Sequence, residues 1–256
     1  MLSLVNSFKS EWLKKKRSPA SWLVLIGGLL VPVIVLFSRL TDFSTLGASN
    51  ASDKLWEFIY TRCWQFMGIF LLPMGVILAA SLITQIEFRN NTWKQLHTTP
   101  QSLTTIFIAK FAVIVIMMLQ FFILFNIGIF LCGALPTVFI GVHYPKEPFP
   151  WFSFMKGNGR FFIDCLPIIA LQYLVSLQWK NFLVPLGFGL GLDIASMIAL
   201  SWKHGYLLPY NYCALEFLGN RARVNPNASV QEWALGYFVI MISVAYILYI
   251  SKKEKG

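Results

Sequence analysis

The sequence predicts an all-α integral membrane protein with six transmembrane helices, and three observations carry that prediction. The chain of 256 residues is 57% hydrophobic and only 12% charged, about half the ~25% charge of a soluble domain. Its apolar residues gather into six stretches nearly free of charge, each about the ~20 residues that a helix needs to cross a ~30 Å hydrocarbon core. Lipid cannot satisfy free backbone groups, so runs of this length must be helical. The same composition excludes a soluble globular protein, a disordered chain and a collagen-like rod, and four Cys in 256 residues are too few for a disulfide scaffold.

Before the first span, residues 1–17 form an amphipathic segment. Leu4, Val5, Phe8 and Trp12 recur at helical spacing, Lys14 to Lys16 fill other faces, and Glu11 with Lys15 makes an i,i+4 pair. This predicts an interfacial helix lying along the inner leaflet. Ser18-Pro19 breaks it and turns the chain into the membrane. The spans follow at about 21–37, 64–86, 111–135, 161–179, 182–201 and 233–250, with outer loops at about 38–63, 136–160 and 202–232. Trp22 and Trp179 are expected at one interface, and Trp64, Trp202 and Trp233 at the other. With no internal repeat or linker, residues 1–256 read as one transmembrane domain.

Orientation follows from the basic residues. With the N-terminus inside, the inner parts hold 12 of the 21 Lys and Arg, including Lys14–Arg17 just before the first span and the Lys-rich tail. Both termini are therefore expected in the cytoplasm, and the chain in the cell (inner or plasma) membrane. The first apolar run is as long as a span and follows a long basic segment, so it is expected to stay as an anchor and not to be cleaved. The net charge of +10 lies almost wholly inside, where anionic lipid accounts for it, and nucleic acid is not expected as a partner. The four Cys fall at or beyond outer span ends, where either buried thiols or an outer disulfide would fit.

One inner loop, 87–105, is more specific. Glu87 and Arg89 leave the second span and Asn90-Asn91 supply a turn. Thr92-Trp93-Lys94-Gln95 has the capping-box form, in which Thr92 caps a helix and Gln95 reaches back. A short helix is expected from Trp93 to about Thr98, before Pro100. It is too short to be stable alone, so headgroups or a cytoplasmic partner gripping Trp93 and Leu96 should hold it. Ser102 to Thr105 restart a helix, with Lys110 snorkelling near the inner end of the third span.

The elbow-like N-terminal helix with Glu11 and Lys15, followed by a second span running into Glu87-x-Arg89-Asn90-x-Thr92, then Pro100 and Lys110, resembles the membrane subunits of the ABC-2 superfamily of ATP-binding-cassette transporters. Within it the chain is most similar to the small bacterial permeases of multidrug, peptide-antibiotic and lantibiotic-immunity exporters. The resemblance implies that Phe8, Glu11, Trp12 and Lys15 belong to the elbow helix. It also implies that Glu87, Arg89, Asn90, Thr92, Trp93, Lys94, Gln95, Leu96 and Pro100 form the loop and coupling helix that dock on the ATPase. Two permease subunits, identical or related, would form the path, lined by the second and fifth spans. The outer stretch 206–218 is apolar enough to re-enter the membrane, as the family's often does. No Gly-Lys dipeptide occurs, so the chain lacks a Walker A loop. The resemblance implies no cofactor in this chain, with ATP and Mg bound by a partner ATPase.

Asp164 and Asp193 stand inside spans, where a charge is costly. Either they line the transport path, or they are hydrated near the outer interface or paired with Arg160 or Lys203. Gly187, Gly189 and Gly191, before Asp193, are expected to permit close helix packing, with a dimer interface as one setting. Two other classes remain open: a secondary transporter or channel using Asp193, and an intramembrane aspartyl protease in which Asp164 and Asp193 share a proton. Against the protease, the run Gly189-Leu-Gly-Leu-Asp193 has one residue too many for its G-x-G-D motif. The three His lie in separate loops, and no metal site is expected.

Overall fold

The computed structural model describes residues 2–16, 18–89, 102–219 and 229–251. Every regular element among these residues is a helix, and six of the helices are long and apolar enough to cross a membrane. Helix α1 (Leu2–Lys16) precedes the first span, α2 (Pro19–Thr41). A short α3 (Phe43–Asn50) leads to the second span, made of α4 (Leu55–Phe66), a π-helical turn (Met67–Leu71) and α5 (Leu72–Arg89). Helices α6 (Leu103–Ile140), α7 (Trp151–Gln178), α8 (Leu183–Ile198) and α10 (Val230–Ser251) are the remaining spans. Between α8 and α10 lies a small helix, α9 (Tyr212–Leu218).

The helices outrun the apolar windows of the sequence. The second span starts at Leu55 and not near 64, the third covers 103–140 and not 111–135, and the fourth starts at Trp151 and not near 161. A charge-free window reports only the hydrocarbon-spanning part, whereas a helix needs no apolar residue to continue beyond the bilayer. Local signals mark the true ends. Ser18 caps α2, accepting from the Ala20 N–H, with Pro19 in its first turn. Ser102 caps α6 by accepting from the Thr105 N–H, and Gly141 ends it in the left-handed region (φ 75°).

The π turn has an identifiable cause. Pro73 has no N–H to offer the Ile69 carbonyl, and just before it the Leu72 N–H reaches back five residues to Met67. Five Trp are expected at the two membrane interfaces. Trp22, Trp179, Trp202 and Trp233 are exposed on the chain's own surface. Trp64 is the exception: it is fully buried and stacked on Phe161 with ring centres 3.6 Å apart. The longer helix explains this, since nine residues at ~1.5 Å carry Trp64 about 13 Å inward from Leu55.

Two helices organise the bundle. Helix α6 carries α1 and α2 on one side, and α7 packs against α5, α8, α9 and α10. All four Cys are buried free thiols, so the first of the two expectations for them holds; Cys165 and Cys213 Sγ lie 3.5 Å apart.

Candidate coupling face and translocation path

Helix α1 turns a polar stripe inward. Ser7, Glu11 and Lys15, spaced by four, are buried, whereas Leu4, Val5 and Leu13 are exposed. Phe8 and Trp12 stack at 5.9 Å and pack partly against the core. Beside a membrane this is the economical arrangement, because lipid accepts the apolar side chains and only the protein can satisfy the polar ones.

Glu11 is the centre of that contact. Lys110 Nζ, at the base of the third span and 1% exposed, donates to Glu11 Oε2 at 2.7 Å, and Lys14 donates to Oε1 at 2.5 Å. Burial alone would raise the Glu11 carboxyl, but the two ammonium groups outweigh it and hold it below its ordinary value of 4.5. Two expectations are corrected here. Glu11 pairs with Lys14 and Lys110 and not with Lys15, which donates to Gln120 Oε1 at 3.0 Å and lies over the Trp12 ring. Burial lowers the Lys15 ammonium. Lys110 does not snorkel to water, because α1 covers it.

The inner end of the second span is tied from its other side. Gln85 Nε2 donates to the carbonyls of Trp179 (2.8 Å) and Ser176 (3.3 Å) at the end of α7. Glu87 and Arg89 continue the same helix, and their side chains lie outside the described residues. So do Asn90, Thr92, Trp93, Lys94, Gln95, Leu96 and Pro100. What the structure brings together is the frame of that loop: α5 pinned by Gln85 on one side, and α6 pinned by Lys110 to α1 on the other.

A second set of polar groups runs through the bundle. Gln172 Nε2 in α7 donates to Ser81 Oγ (2.9 Å) in α5 and to the Pro185 carbonyl (2.7 Å) in α8. Its Oε1 accepts from Tyr210 OH at 3.4 Å. The stretch around Tyr210 therefore folds back into the bundle, as its apolar composition suggests, with Tyr210 to Leu215 buried. Gly189 makes this junction possible: a Cβ there would stand 2.6 Å from Gln172 Oε1 and 2.7 Å from an Ile77 methyl. Gly187 and Gly191 meet nothing within 4 Å, so close packing inside the chain accounts for only one of the three glycines.

Asp164 and Asp193 are both buried. Among the described residues, neither oxygen of Asp164 has a hydrogen-bond partner, nor has Oδ2 of Asp193. Arg160 pairs with Glu216 at 3.3 Å and not with Asp164. No hydrogen bond joins the two carboxyls to one another. Gln85, Gln120, Gln172 and Ser81 carry no local signal, since a neutral amide or hydroxyl in an apolar run has no charge to mark it.

Comparison with curated proteins and with solved structures gives no match. A model of the family described as "ABC-2 family transporter protein" matches residues 7–196, most of the chain, from the polar face of α1 through Asp193. The chain thus belongs to the ABC-2 family and is a multi-pass transmembrane permease subunit of an ATP-binding-cassette transporter, a kind of subunit that works with ABC ATPase partners.

Proposed function

We propose that the chain is half of the translocation path of an exporter, working as a dimer with an identical or related permease and two separate ATPase chains. The ATPase stroke enters through loop 87–105, with the segment around Trp93 as the coupling helix and both termini in the cytoplasm of the inner or plasma membrane. The supporting observation is the buried contact of Glu11 with Lys110. It fastens the elbow helix to α6 five residues beyond the end of the loop, so a push on the loop reaches α1 and the third span together. Closure of the ATPases then rocks the spans between inward- and outward-facing states.

The cargo we favour is an amphipathic or apolar compound, as exported by the small multidrug, peptide-antibiotic and lantibiotic-immunity permeases. A cavity of about 160 Å³ between the first three spans, lined by Leu30, Met67, Met74, Met117, Met118 and Phe121, supports this reading. Thioether side chains adapt to apolar guests of varied shape. Asp164 and Asp193 supply polar lining to the path.

Replacing Trp93 and Leu96 by Ala tests the coupling role. Their side chains are the apolar grip of the loop, and loss of two buried anchors at an interface weakens binding by about 100-fold or more. Copurification of the ATPase should be lost while the permease itself still folds and inserts. Unchanged retention of the ATPase by this variant would rule out loop 87–105 as its docking point.

A further inference from the structure

On the face of the membrane opposite α1, the end of α2, helix α3 and the start of the second span enclose a cavity of about 450 Å³. Two guanidinium groups line it. Arg39, 8% exposed, donates to the Cys132 carbonyl and, at 2.6 Å, to Asn50 Oδ1, which are both neutral acceptors. Arg62 lies over the Phe58 ring, 5.3 Å from its centre. Among the described residues neither Arg forms an ion pair with a carboxylate, whereas Lys146 and Arg160 elsewhere on the chain do. Asp42 also lines the cavity, so the three charged side chains leave a net positive charge. A cation as buried as Arg39 is costly without a counter-charge.

The depth of the cavity says where that counter-charge would come from. From Pro19 to Arg39 is 20 residues of α2, about 30 Å of rise, or one hydrocarbon thickness. Arg39 therefore stands at headgroup level of the far leaflet. Below it the same cavity is walled by Ile34 and Phe66, which are exposed to the lipid side. Positive charge at headgroup depth above an apolar wall matches an anionic amphiphile. We infer that this cavity binds an anionic phospholipid of the leaflet opposite α1. Its phosphodiester lies between Arg39 and Arg62, and an acyl chain runs along Ile34 and Phe66.

The test titrates the purified full chain in detergent with short-chain phosphatidylglycerol, and separately with short-chain phosphatidylcholine and inorganic phosphate, reading bound ligand by native mass spectrometry. Phosphatidylglycerol should bind saturably and more tightly than phosphatidylcholine. Arg62→Gln should weaken it about tenfold or more, the worth of a charged hydrogen bond, and Arg62→Lys should restore part of the loss. Arg62 is exposed, so its variants keep the fold; Arg39→Gln disturbs buried contacts and is not used. Equal binding by wild type and Arg62→Gln, or equal affinity for the two lipids, would overturn the proposal. So would displacement by inorganic phosphate at the potency of the lipid, which would indicate a free-anion site.

Discussion

Glu11→Gln is expected to lower the unfolding free energy of the purified chain by about 3 kcal/mol, the usual cost of removing one partner from a buried ion pair. Thermal unfolding in detergent reads this. Lys14→Gln is the control: its side chain is 30% exposed on the same helix, and a helix ion pair with one solvent-reached partner contributes about 1 kcal/mol or less. An equally small effect for both variants would show that the Glu11–Lys110 contact does not fasten α1. The pH dependence has a definite sign. The Glu11 carboxyl is held below its ordinary value of 4.5 when folded. Its stabilising contribution is therefore complete above the unfolded value and is lost as pH falls through the lower folded one. Wild type should lose hydrogen-exchange protection in α1 on acidification through that range, whereas Glu11→Gln should start with less protection and change little.

Gly189→Ala should have the second large effect. Its Cβ would drive into the Gln172 amide and Ile77, where the second, fourth and fifth spans and the Tyr210 stretch meet. Overpacking of this kind costs about 1–3 kcal/mol, and displacing Gln172 costs the hydrogen bonds to Ser81 and Pro185 as well. Transport should fall steeply even where the variant still folds, because the junction holds together the spans that rock in the proposed cycle. Gly187→Ala and Gly191→Ala meet open space and should leave the unfolding temperature of the single chain unchanged or slightly raised. If the two positions touch a second permease, these variants instead reduce the dimer fraction in light scattering, which separates the two surfaces of α8.

The sequence revealed the number and order of the spans because hydrocarbon thickness imposes a length and an absence of charge that few other structures require. It revealed less of their ends. The helices continue through polar residues such as those of 55–63 and 151–160, where capping and tertiary packing decide, not apolarity. The orientation of α1 was legible only in part. Leu4, Val5, Phe8 and Trp12 read as one apolar face, as they would for a helix lying on a lipid surface. With protein on one side and lipid on the other, the polar residues Ser7, Glu11 and Lys15 turn inward instead. Lys110 was visible as a charge near a span end, but its partner lies 99 residues away, beyond the reach of any local pattern. Gln85 and Gln172 were invisible for the same reason: their roles depend on which helices become neighbours.

The proposed function joins a cytoplasmic lever to a membrane path through α6. The lever comprises α1, fixed by Glu11 to Lys110, and the loop framed by Gln85 and Ser102. The path comprises the spans gathered at Gln172, with the unpartnered carboxyls of Asp164 and Asp193 within the bundle. Both parts have meaning only if a separate chain supplies the energy. The most direct measurement is therefore transport by the chain reconstituted in liposomes, with and without an ATPase that copurifies with it. The account predicts movement of an amphipathic dye only when ATPase and ATP are both present, and its loss in the Trp93→Ala, Leu96→Ala variant. Transport driven by an ion gradient across liposomes containing this chain alone would contradict it.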